Sequence, residues 1–330
     1  MRFLEKAWYN NAPWLWLLWP LSLPFQLLVV LRSKRKTKPG TEATQTPVIV
    51  VGNLTVGGTG KTPLLIALCK HFQKRGIKPG VISRGYGGKA NSYPMEVDSE
   101  TNPAIAGDEP VLIASKTACP VVIDPDRLRA LQHLTAQHEV DLILSDDGLQ
   151  HYRLPRNLEI AVVDGQRLFG NGMCLPAGPL REPVSRLQGC DFIVVNGSQE
   201  RTHEALSGAH TMQIKPKSLI NLASGEKRPF TGAPFHMGNR VQAVAAIGNP
   251  QRFFNTLSAL PYPVEPHVFP DHHAFVQSDF EAMDPHQPIV MTEKDGIKCL
   301  SFASANMWYV EIDVDLPEAL LSGIEIQLKR

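Results

Sequence analysis

The feature that most constrains this fold is a glycine-rich turn set between an apolar run and an apolar helical pattern. Residues 47–51 read PVIVV, residues 52–63 read GNLTVGGTGKTP, and the helical pattern begins at Leu64. A strand, a glycine-rich turn and a helix in this order are the context of a phosphate-binding loop, or P-loop. Glycines let backbone N–H groups close around phosphate oxygens, and the helix N-terminus adds the positive end of its dipole. The chain is therefore expected to bind a nucleoside triphosphate, with ATP preferred.

The positions of this loop have separate expected roles. Lys61 is expected to reach the β- and γ-phosphates, and the Thr62 hydroxyl is expected to ligate Mg²⁺. The preceding residues supply the remaining nucleotide contacts: Thr55, Val56, Gly57, Gly58, Thr59 and Gly60. Thr55 stands where the general pattern G-x-x-x-x-G-K-[ST] has glycine, so an ordinary glycine-rich turn is the alternative interpretation.

A second apolar run ends in two acids, as a P-loop requires. Residues 140–147 read VDLILSDD, which is typical of a strand that carries a carboxylate to the Mg²⁺ site. Asp146 or Asp147 is expected to hold Mg²⁺ directly or through water. Alone, such a run also fits a helix cap or a solvated turn, and the P-loop is what favours the metal role.

Short runs rich in Val and Ile alternate with helical patterns along most of the chain. Such runs predict buried parallel strands, and their alternation with helices predicts a P-loop NTPase-like, doubly wound α/β sheet. They are residues 47–51, 80–83, 120–123, 142–145, 159–163 and 192–195, and then 241–247, 264–269, 289–291 and 308–312. A possible ribbon covers 212–222. We predict a P-loop domain over 39–224 and a smaller C-terminal α/β domain over 225–330, preceded by a membrane-associated segment over 1–38.

That N-terminal segment departs from the pattern of the rest. Residues 12–31 carry no charge and include Trp14, Trp16 and Trp19. Twenty helical residues rise about 30 Å, the thickness of the bilayer's hydrocarbon core. Pro20 is expected to kink the segment. Basic residues that suit anionic headgroups follow it: Arg32, Lys34, Arg35, Lys36 and Lys38.

Three interpretations of this segment compete. A cleaved signal peptide has its basic residues before the apolar run, not after it. A buried core helix is the second interpretation. A membrane anchor, either spanning or lying in the interface, agrees best with the tryptophans and the basic cluster.

Charge and cysteine content limit the other classes of function. A net charge of +1 over 330 residues gives no electrostatic reason to expect a nucleic-acid partner. The cysteines are five, widely spaced and without a CxxC pair, which favours reduced thiols over a disulfide framework or a zinc site.

Blocks along most of the chain together resemble the tetraacyldisaccharide 4′-kinase (lipid A 4′-kinase) family. The P-loop segment 51–63 is one of them. The others are SRGYGG at 83–88, GDEP at 107–110, DDGLQH at 146–151, LPAGPLREP at 175–183, IGNPQRFF at 247–254, FPDHH at 269–273 and MTEKD at 291–295. They keep the family's order from about 47 to 300, and the apolar N-terminus fits as well.

The resemblance implies a reaction and a location. The γ-phosphate of ATP would be transferred, with Mg²⁺, to the 4′-hydroxyl of a tetraacyldisaccharide 1-phosphate, giving lipid IVA in lipid A biosynthesis. The enzyme would work at the cytoplasmic face of a bacterial inner membrane. Its partners would be the lipid-linked disaccharide and the membrane lipids, with no obligatory protein partner.

The resemblance also assigns roles to single residues. Asp108 becomes the expected base for the sugar hydroxyl, and His272 its partner from the C-terminal domain, with Asp271 fixing the histidine tautomer. Without the family, Asp108 would be taken for a cap and 272–273 for a surface turn.

Further residues are candidates on chemical grounds. Arg127 and Arg181 suit the phosphate oxygens of the transition state, because the guanidinium fork matches them. Glu182 is expected to support Mg²⁺ or Arg181. Gln150 is expected to contact the nucleotide or water.

Two more blocks carry weaker expectations. Residues 292–295 are expected to end a strand and cap a helix. Residues 84–88 are expected to form either a lid or a turn with positive φ. A membrane-associated NTPase of another kind and a nucleotide-regulated binding protein are the competing functions.

Overall fold

The computed structural model describes residues 2–33, 45–198 and 203–329. Its strands are β1 Val48–Gly52, β2 Pro79–Ser83, β3 Met95–Val97, β4 Val121–Ile123, β5 Leu142–Asp146, β6 Leu158–Asp164, β7 Phe192–Asn196, β8 His210–Asn221, β9 Lys227–Pro229, β10 Val241–Ala245, β11 Val264–Val268, β12 Ile289–Thr292 and β13 Met307–Asp315. Its α-helices are α1 Arg2–Tyr9, α2 Trp19–Ser33, α3 Lys61–Lys74, α4 Pro103–Ala106, α5 Asp108–Thr117, α6 Arg127–Gln137, α7 Pro250–Leu257, α8 Glu293–Cys299 and α9 Glu318–Leu328. Short 3₁₀ helices cover Pro13–Leu18, Val184–Gly189, Glu204–Leu206, Gln277–Phe280 and Leu300–Phe302.

The strands form one mixed sheet in which both predicted βα series take part. The order is β11-β10-β12-β13-β8-β7-β6-β1-β5-β2-β4-β3, and β9 pairs with β8. Strand β1 lies between β5 and β6 and is parallel to both. The P-loop, which follows β1, therefore begins at the carboxyl edge of the sheet, near the middle of the strands of the first βα series. Ligands of open α/β sheets bind outside that edge, which fits the predicted nucleotide site.

The structure confirms the predicted strands, and most of their apolar runs are buried, although β11 at the edge of the sheet has no buried residue. All five residues of β1 are buried, and so are those of β2 and β5. Helices cover a parallel sheet on both sides, so its strands become continuously apolar instead of alternating. The two strands that the sequence analysis missed, β3 and β9, have three residues each and partly exposed side chains, and neither carries such a run.

Strand β8 joins the two series. Its first residues, His210–Met212, pair in parallel with β7, and the rest pairs antiparallel with β13. The predicted ribbon over 212–222 is thus part of a 12-residue strand. Two apolar clusters, which contain Leu64 and Leu131, lie mainly before our proposed division at 224/225, and two others, which contain Phe253 and Phe275, lie mainly after it. The cluster of Leu64 also includes Leu320 and Ile324, so α9 packs on the P-loop half although it follows residue 225. Below, the P-loop half and the C-terminal half refer to this division.

The N-terminal segment forms α1, a 3₁₀ helix and α2. Pro13–Leu31 is a run of 19 residues, apolar and long enough to cross a membrane, and 11% of its most apolar stretch is buried. This small burial disfavours a core helix, and Trp16 and Leu17 are 64% and 81% exposed. Pro20 lies in the first turn of α2, where the 3₁₀ helix changes to an α-helix. The basic cluster predicted from Arg32 to Lys38 lies outside the residues whose side chains the structure describes.

One side of this segment is docked on the P-loop half. The Trp8 indole donates a hydrogen bond to the carbonyl of Pro176 (3.1 Å). The fully buried Ser22 hydroxyl donates to the carbonyl of Cys174 (2.9 Å) and accepts from the amide of Ala177 (3.3 Å). We call residues 173–180, which receive these contacts, the docking loop.

The docking loop in turn pairs with the P-loop. The amide of Val56 donates to the carbonyl of Pro179 (2.8 Å), and Thr55 forms an isolated antiparallel bridge with Leu180. Val56 also packs against the small apolar cluster that contains Trp8. The segment expected to meet the membrane is therefore in direct contact with the loop expected to bind phosphate.

Candidate active site

The P-loop has the backbone shape that its glycines permit. Gly57 and Gly60 adopt φ values of 103° and 97°, which side chains rarely tolerate. A Cβ on Gly60 would lie 2.3 Å from Asn196 Nδ2, so glycine is also required there by the close approach of β7. Thr55 does not have a positive φ, because its backbone is extended where it bridges to Leu180. This explains why the chain departs from the general P-loop pattern at Thr55.

Lys61 begins α3 and is 8% exposed. Its ammonium donates to Asn53 Oδ1 (3.1 Å) and lies 3.5 Å from Asp147 Oδ1. Asn53 is itself fully buried, and its amide donates to the carbonyls of Thr55 (2.8 Å) and Gly57 (3.4 Å). Asn53 therefore orients both the loop and its lysine, a role that sequence reasoning missed because a single asparagine carries no motif of its own.

Asp146 and Asp147 follow each other but have opposite electrostatic surroundings. Asp146 is 1% exposed, and burial together with Glu109 and Asp147 raises its pKa to about 7. Burial also disfavours ionisation of Asp147, but Lys61 and Arg181 outweigh it and hold its pKa well below the ordinary value. Asp147 has a left-handed backbone (φ 47°), a conformation that aspartate tolerates better than most residues.

These carboxylates fit a magnesium site. Asp146 Oδ2 accepts from the Ser83 hydroxyl (3.2 Å), while the buried Oδ1 has no hydrogen-bond partner within the described residues. Mg²⁺ in nucleotide enzymes is held by one or two carboxylates, substrate phosphates and water. In the described part of the chain no three acids, histidines or cysteines converge as a complete metal cage. Such a partial set of protein ligands is what this kind of site needs.

Arg181, Gln150 and Glu182 form one hydrogen-bonded chain beside the acids. Arg181 Nη1 donates to Asp147 Oδ2 (2.8 Å) and to Gln150 Oε1 (3.4 Å). Gln150 Nε2 donates to Glu182 Oε2 (2.8 Å) and to the carbonyl of Asn53 (3.2 Å). Glu182 is 1% exposed. In this arrangement Glu182 orients Gln150, and Gln150 contacts the turn that follows β1.

Arg127 also contacts Asp146 and is 2% exposed. It donates to the carbonyls of Asp124 (2.8 Å) and Asp146 (3.3 Å), while its Nε has no partner within the described residues. Burial lowers its pKa to about 10, so it stays charged at neutral pH. Burial and the cations Arg127 and Arg84 lower the pKa of His151 to about 4, so this histidine is neutral.

Asp108 and His272 come from opposite halves of the sheet and meet. Asp108 is the first residue of α5 and is 4% exposed, and His272 follows β11. His272 Nδ1 lies 3.0 and 3.1 Å from the two carboxylate oxygens of Asp108. The His272 backbone is left-handed (φ 57°), as at Asp147. Asp271, expected to fix the tautomer, lies farther away, with Oδ1 3.9 Å from His272 Nε2.

The protonation of this pair is set by its neighbours. Burial opposes ionisation of Asp108, but the His272 hydrogen bond and Lys294 outweigh it and lower the pKa of Asp108 to about 2. Burial likewise opposes protonation of His272, but the hydrogen bond to Asp108 outweighs it and raises the pKa of His272. Asp108 is therefore a carboxylate at neutral pH and can accept a proton.

Block 292–295 confirms one expectation and adds to the site. Thr292 caps α8, as expected, and accepts from the amide of Asp295 (3.1 Å). Lys294 and Glu109, neither of them singled out in the sequence, contact each other at 3.0 Å beside Asp108 and His272. Residues 84–88 form the expected turn, with Gly85 and Gly87 at φ 70° and 80°, and the Tyr86 ring lies 4.9 Å from the His272 ring.

The C-terminal half also touches the P-loop directly. A Cβ on Gly248 would lie 2.4 Å from the amide nitrogen of Gly58, so the two turns meet backbone to backbone. Arg252 Nη2 donates to Asn196 Oδ1 (2.7 Å), and Asn196 Nδ2 donates to the carbonyl of Thr59 (2.9 Å). The site is therefore enclosed by residues of both halves.

Comparison with known proteins yields one consistent family. The model of the family described as Tetraacyldisaccharide-1-P 4′-kinase matches residues 14–329. The chain is 46% identical over 333 residues to the tetraacyldisaccharide 4′-kinase of Hahella chejuensis, covering 99% of this chain and 96% of that protein. It is 45% identical over 337 residues to the enzyme of the same name from Pseudomonas aeruginosa, covering 100% and 98%.

A solved structure agrees with the sequence comparisons. The crystal structure of LpxK from Aquifex aeolicus in complex with ATP superposes with a TM-score of 0.74 at 26% identity. The match covers 94% of this chain and 97% of that one. The likeness extends over the P-loop half and the C-terminal half together.

Proposed function

The chain belongs to the tetraacyldisaccharide-1-P 4′-kinase family, and we propose from this premise that Asp108, positioned by His272, is the base of its phosphotransfer reaction. The protein transfers the γ-phosphate of ATP to the 4′-hydroxyl of the tetraacyldisaccharide 1-phosphate in lipid A synthesis, and ATP with Mg²⁺ serves the reaction. The observation that carries the assignment of the base is the contact of His272 Nδ1 with both oxygens of the buried Asp108, at 3.0 and 3.1 Å.

The proposed step moves one proton and one phosphoryl group. The sugar hydroxyl gives its proton to the Asp108 carboxylate as its oxygen attacks the γ-phosphorus, and the bond to the β–γ bridging oxygen breaks. His272 donates from Nδ1 and holds the carboxylate in place. A carboxylate with a pKa of about 2 is a weak base, which suits a loose transition state in which little proton transfer precedes phosphoryl transfer.

Lys61, Arg127 and Arg181 are the cations of the proposed phosphoryl-transfer site. Lys61, at the start of α3, would contact the nucleotide phosphates, while Arg127 contacts the carbonyl of Asp146 and Arg181 the carboxylate of Asp147. Thr62, Asp146 and Asp147 would hold Mg²⁺, with Glu182 behind Gln150. Mg²⁺ bound there neutralises the charge of the β- and γ-phosphates. The segment Thr55–Gly60 supplies the backbone that encloses them.

The proposal includes the membrane because the acceptor carries acyl chains. Such a substrate stays in the bilayer, so the enzyme must meet it at the surface. The exposed apolar residues of Pro13–Leu31 support attachment to inner-membrane lipids, with the active site on the cytoplasmic side, where ATP is available. Docking through Trp8 and Ser22 places that surface beside the P-loop.

The test is phosphate transfer from radiolabelled ATP to the disaccharide lipid, with the product identified by mass spectrometry. Asp108→Asn is nearly isosteric and is expected to lower kcat by about 100- to 10,000-fold, the usual contribution of a positioned base. Near-normal turnover by Asp108→Asn would contradict the assignment of Asp108 as the base. Rapid ATP hydrolysis without lipid would instead favour the competing NTPase function.

A further inference from the structure

One lysine of the C-terminal half contacts the proposed base pair and has no role in the step described above. Lys294 lies in α8, and its side chain is 17% exposed. Its ammonium lies 3.0 Å from Glu109 Oε1, 3.3 Å from His272 Nε2 and 3.8 Å from Asp108 Oδ1. Lys294 therefore reaches two acids of α5 and the histidine that positions one of them.

The contact with His272 restricts where the imidazole protons lie. A lysine ammonium has three donors and no acceptor, so a nitrogen 3.3 Å from it must offer a lone pair. In this contact Nε2 is unprotonated, and the ring proton on Nδ1 faces Asp108. We propose that Lys294 is a positioning residue that selects the Nδ1–H tautomer of His272, with that proton directed at the Asp108 carboxylate.

Other charged groups near His272 do not replace Lys294 in this role. They are Asp108 and Glu109 on α5, Asp271 beside the histidine, Asp295 and Lys298 on α8, and Lys61 on α3, which acts on Glu109. Of these, Asp108 and Asp271 favour protonation of His272, whereas Lys294 opposes it. Lys298 lies 3.7 Å from Asp108 Oδ2, about as far from Asp108 as Lys294 does, and its ammonium contacts Asp295 and the Phe275 ring.

Lys294 itself stays charged in this setting. Burial alone would favour the neutral amine, but Glu109 and Asp108 outweigh burial and raise its pKa. A permanent cation at Nε2 makes the second ring proton unfavourable. It therefore lowers the share of imidazolium, which would weaken Asp108 as a base, while Asp108 still holds the pKa of His272 above its ordinary value.

The inference deepens the proposed function and rests on it, and the pH dependence of kcat/KM tests it. In Lys294→Met the His272 pKa rises further, so the acidic limb of the profile is expected to move up by about one pH unit. Lys294→Arg keeps a cationic donor and is expected to retain the wild-type limb. Lys298→Met, the matched control, is expected to leave the limb in place. An equal shift in Lys298→Met and Lys294→Met overturns the proposal, because any lost positive charge would then suffice.

A second readout does not depend on turnover. In protein labelled with ¹⁵N-histidine, the His272 resonances are assigned by their loss in His272→Gln. In a pH titration the neutral form of His272 in the wild type is expected to be the Nδ1–H tautomer, and the midpoint of its protonation is expected to be higher in Lys294→Met by about one pH unit. The same tautomer and the same midpoint in Lys294→Met overturn the proposal. Failure of the Asp108 assignment is distinguishable, because it shows in Asp108→Asn turnover and leaves this spectrum unchanged.

Discussion

Single residues in this site are held by neighbours that carry no motif. Asn53 is fully buried and joins the Lys61 ammonium to the P-loop carbonyls. The lysine alone is a flexible chain of four methylenes, and its fixed direction comes from Asn53 and Asp147. Positioning of this kind is what converts a charged group into transition-state stabilisation.

The Asn53→Ala variant is expected to lower kcat/KM for ATP by about 10- to 100-fold, since a lysine displaced by about 1 Å loses much of its effect. Steady-state kinetics with the lipid acceptor measures this loss. Asn221→Ala is the matched control, because Asn221 is a similarly buried asparagine in β8 whose side chain bonds to its own turn and to the carbonyl of Ala305. Equal losses in both variants would mean that Asn53 acts through general stability.

The residues that sequence reasoning found and those that it missed differ in whether their neighbours along the chain fix their positions. Lys61, Asp146 and Asp147 follow from local rules, because a strand, a turn and a helix fix their positions. Asp108 and His272 required the family resemblance, since 164 residues separate them and only the folded chain brings them together. Lys294 and Glu109 are 185 residues apart. Their contact was not predicted, because block 292–295 was expected only to end a strand and cap a helix.

Among the elements, the N-terminal helices have two different sides. Leu23 and Leu27 are 48% and 59% exposed, whereas Ser22 is fully buried against the docking loop. The apolar composition predicted a membrane surface. It gave no sign of the docked side, because a serine inside an apolar run carries no periodic signal. Most strands were predicted well for the opposite reason, since burial on both faces makes the whole run apolar.

Replacing the Ser22 hydroxyl tests the docked side. The Ser22→Ala variant loses the bond to Cys174 and leaves the buried amide of Ala177 without its acceptor. Its free energy of unfolding is expected to fall by about 1–3 kcal/mol. Thermal unfolding in a fixed detergent measures this change. Leu27→Ala, on the exposed side, is expected to keep the unfolding temperature and to weaken binding to vesicles. A destabilised Leu27→Ala together with an unaffected Ser22→Ala would contradict the described orientation.

At the scale of the whole molecule, the two halves meet closely over the P-loop, and α5 also packs on α8 and α9 on the P-loop half. The Gly58–Gly248 approach leaves no room for a side chain at residue 248. Strand β8 carries the sheet from one half to the other, which the sequence analysis anticipated only as a ribbon. A parallel partner on one side and an antiparallel partner on the other produce a mixed pattern that single-strand periodicity does not reveal.

Gly248→Ala is expected to separate the turns that meet at Gly58. Overpacking of this kind lowers the free energy of unfolding by about 1–3 kcal/mol. A P-loop displaced by about 1 Å is expected to lower kcat/KM by about 100-fold. Asn255→Ala, on the exposed face of the following helix α7, is the control and is expected to keep full activity. Wild-type kinetics in Gly248→Ala would show that the contact is dispensable for the reaction.

The docking of α2 on residues 173–180 also has a consequence for the order of synthesis on the ribosome. Ser22 leaves the ribosome first, and its partner Cys174 is made 152 residues later. Throughout that interval the docked side of α2 lacks its protein contacts. If the segment binds the membrane as proposed, its apolar residues can meet lipid before the docking loop is made, and the P-loop half then completes its fold against a helix already at the bilayer.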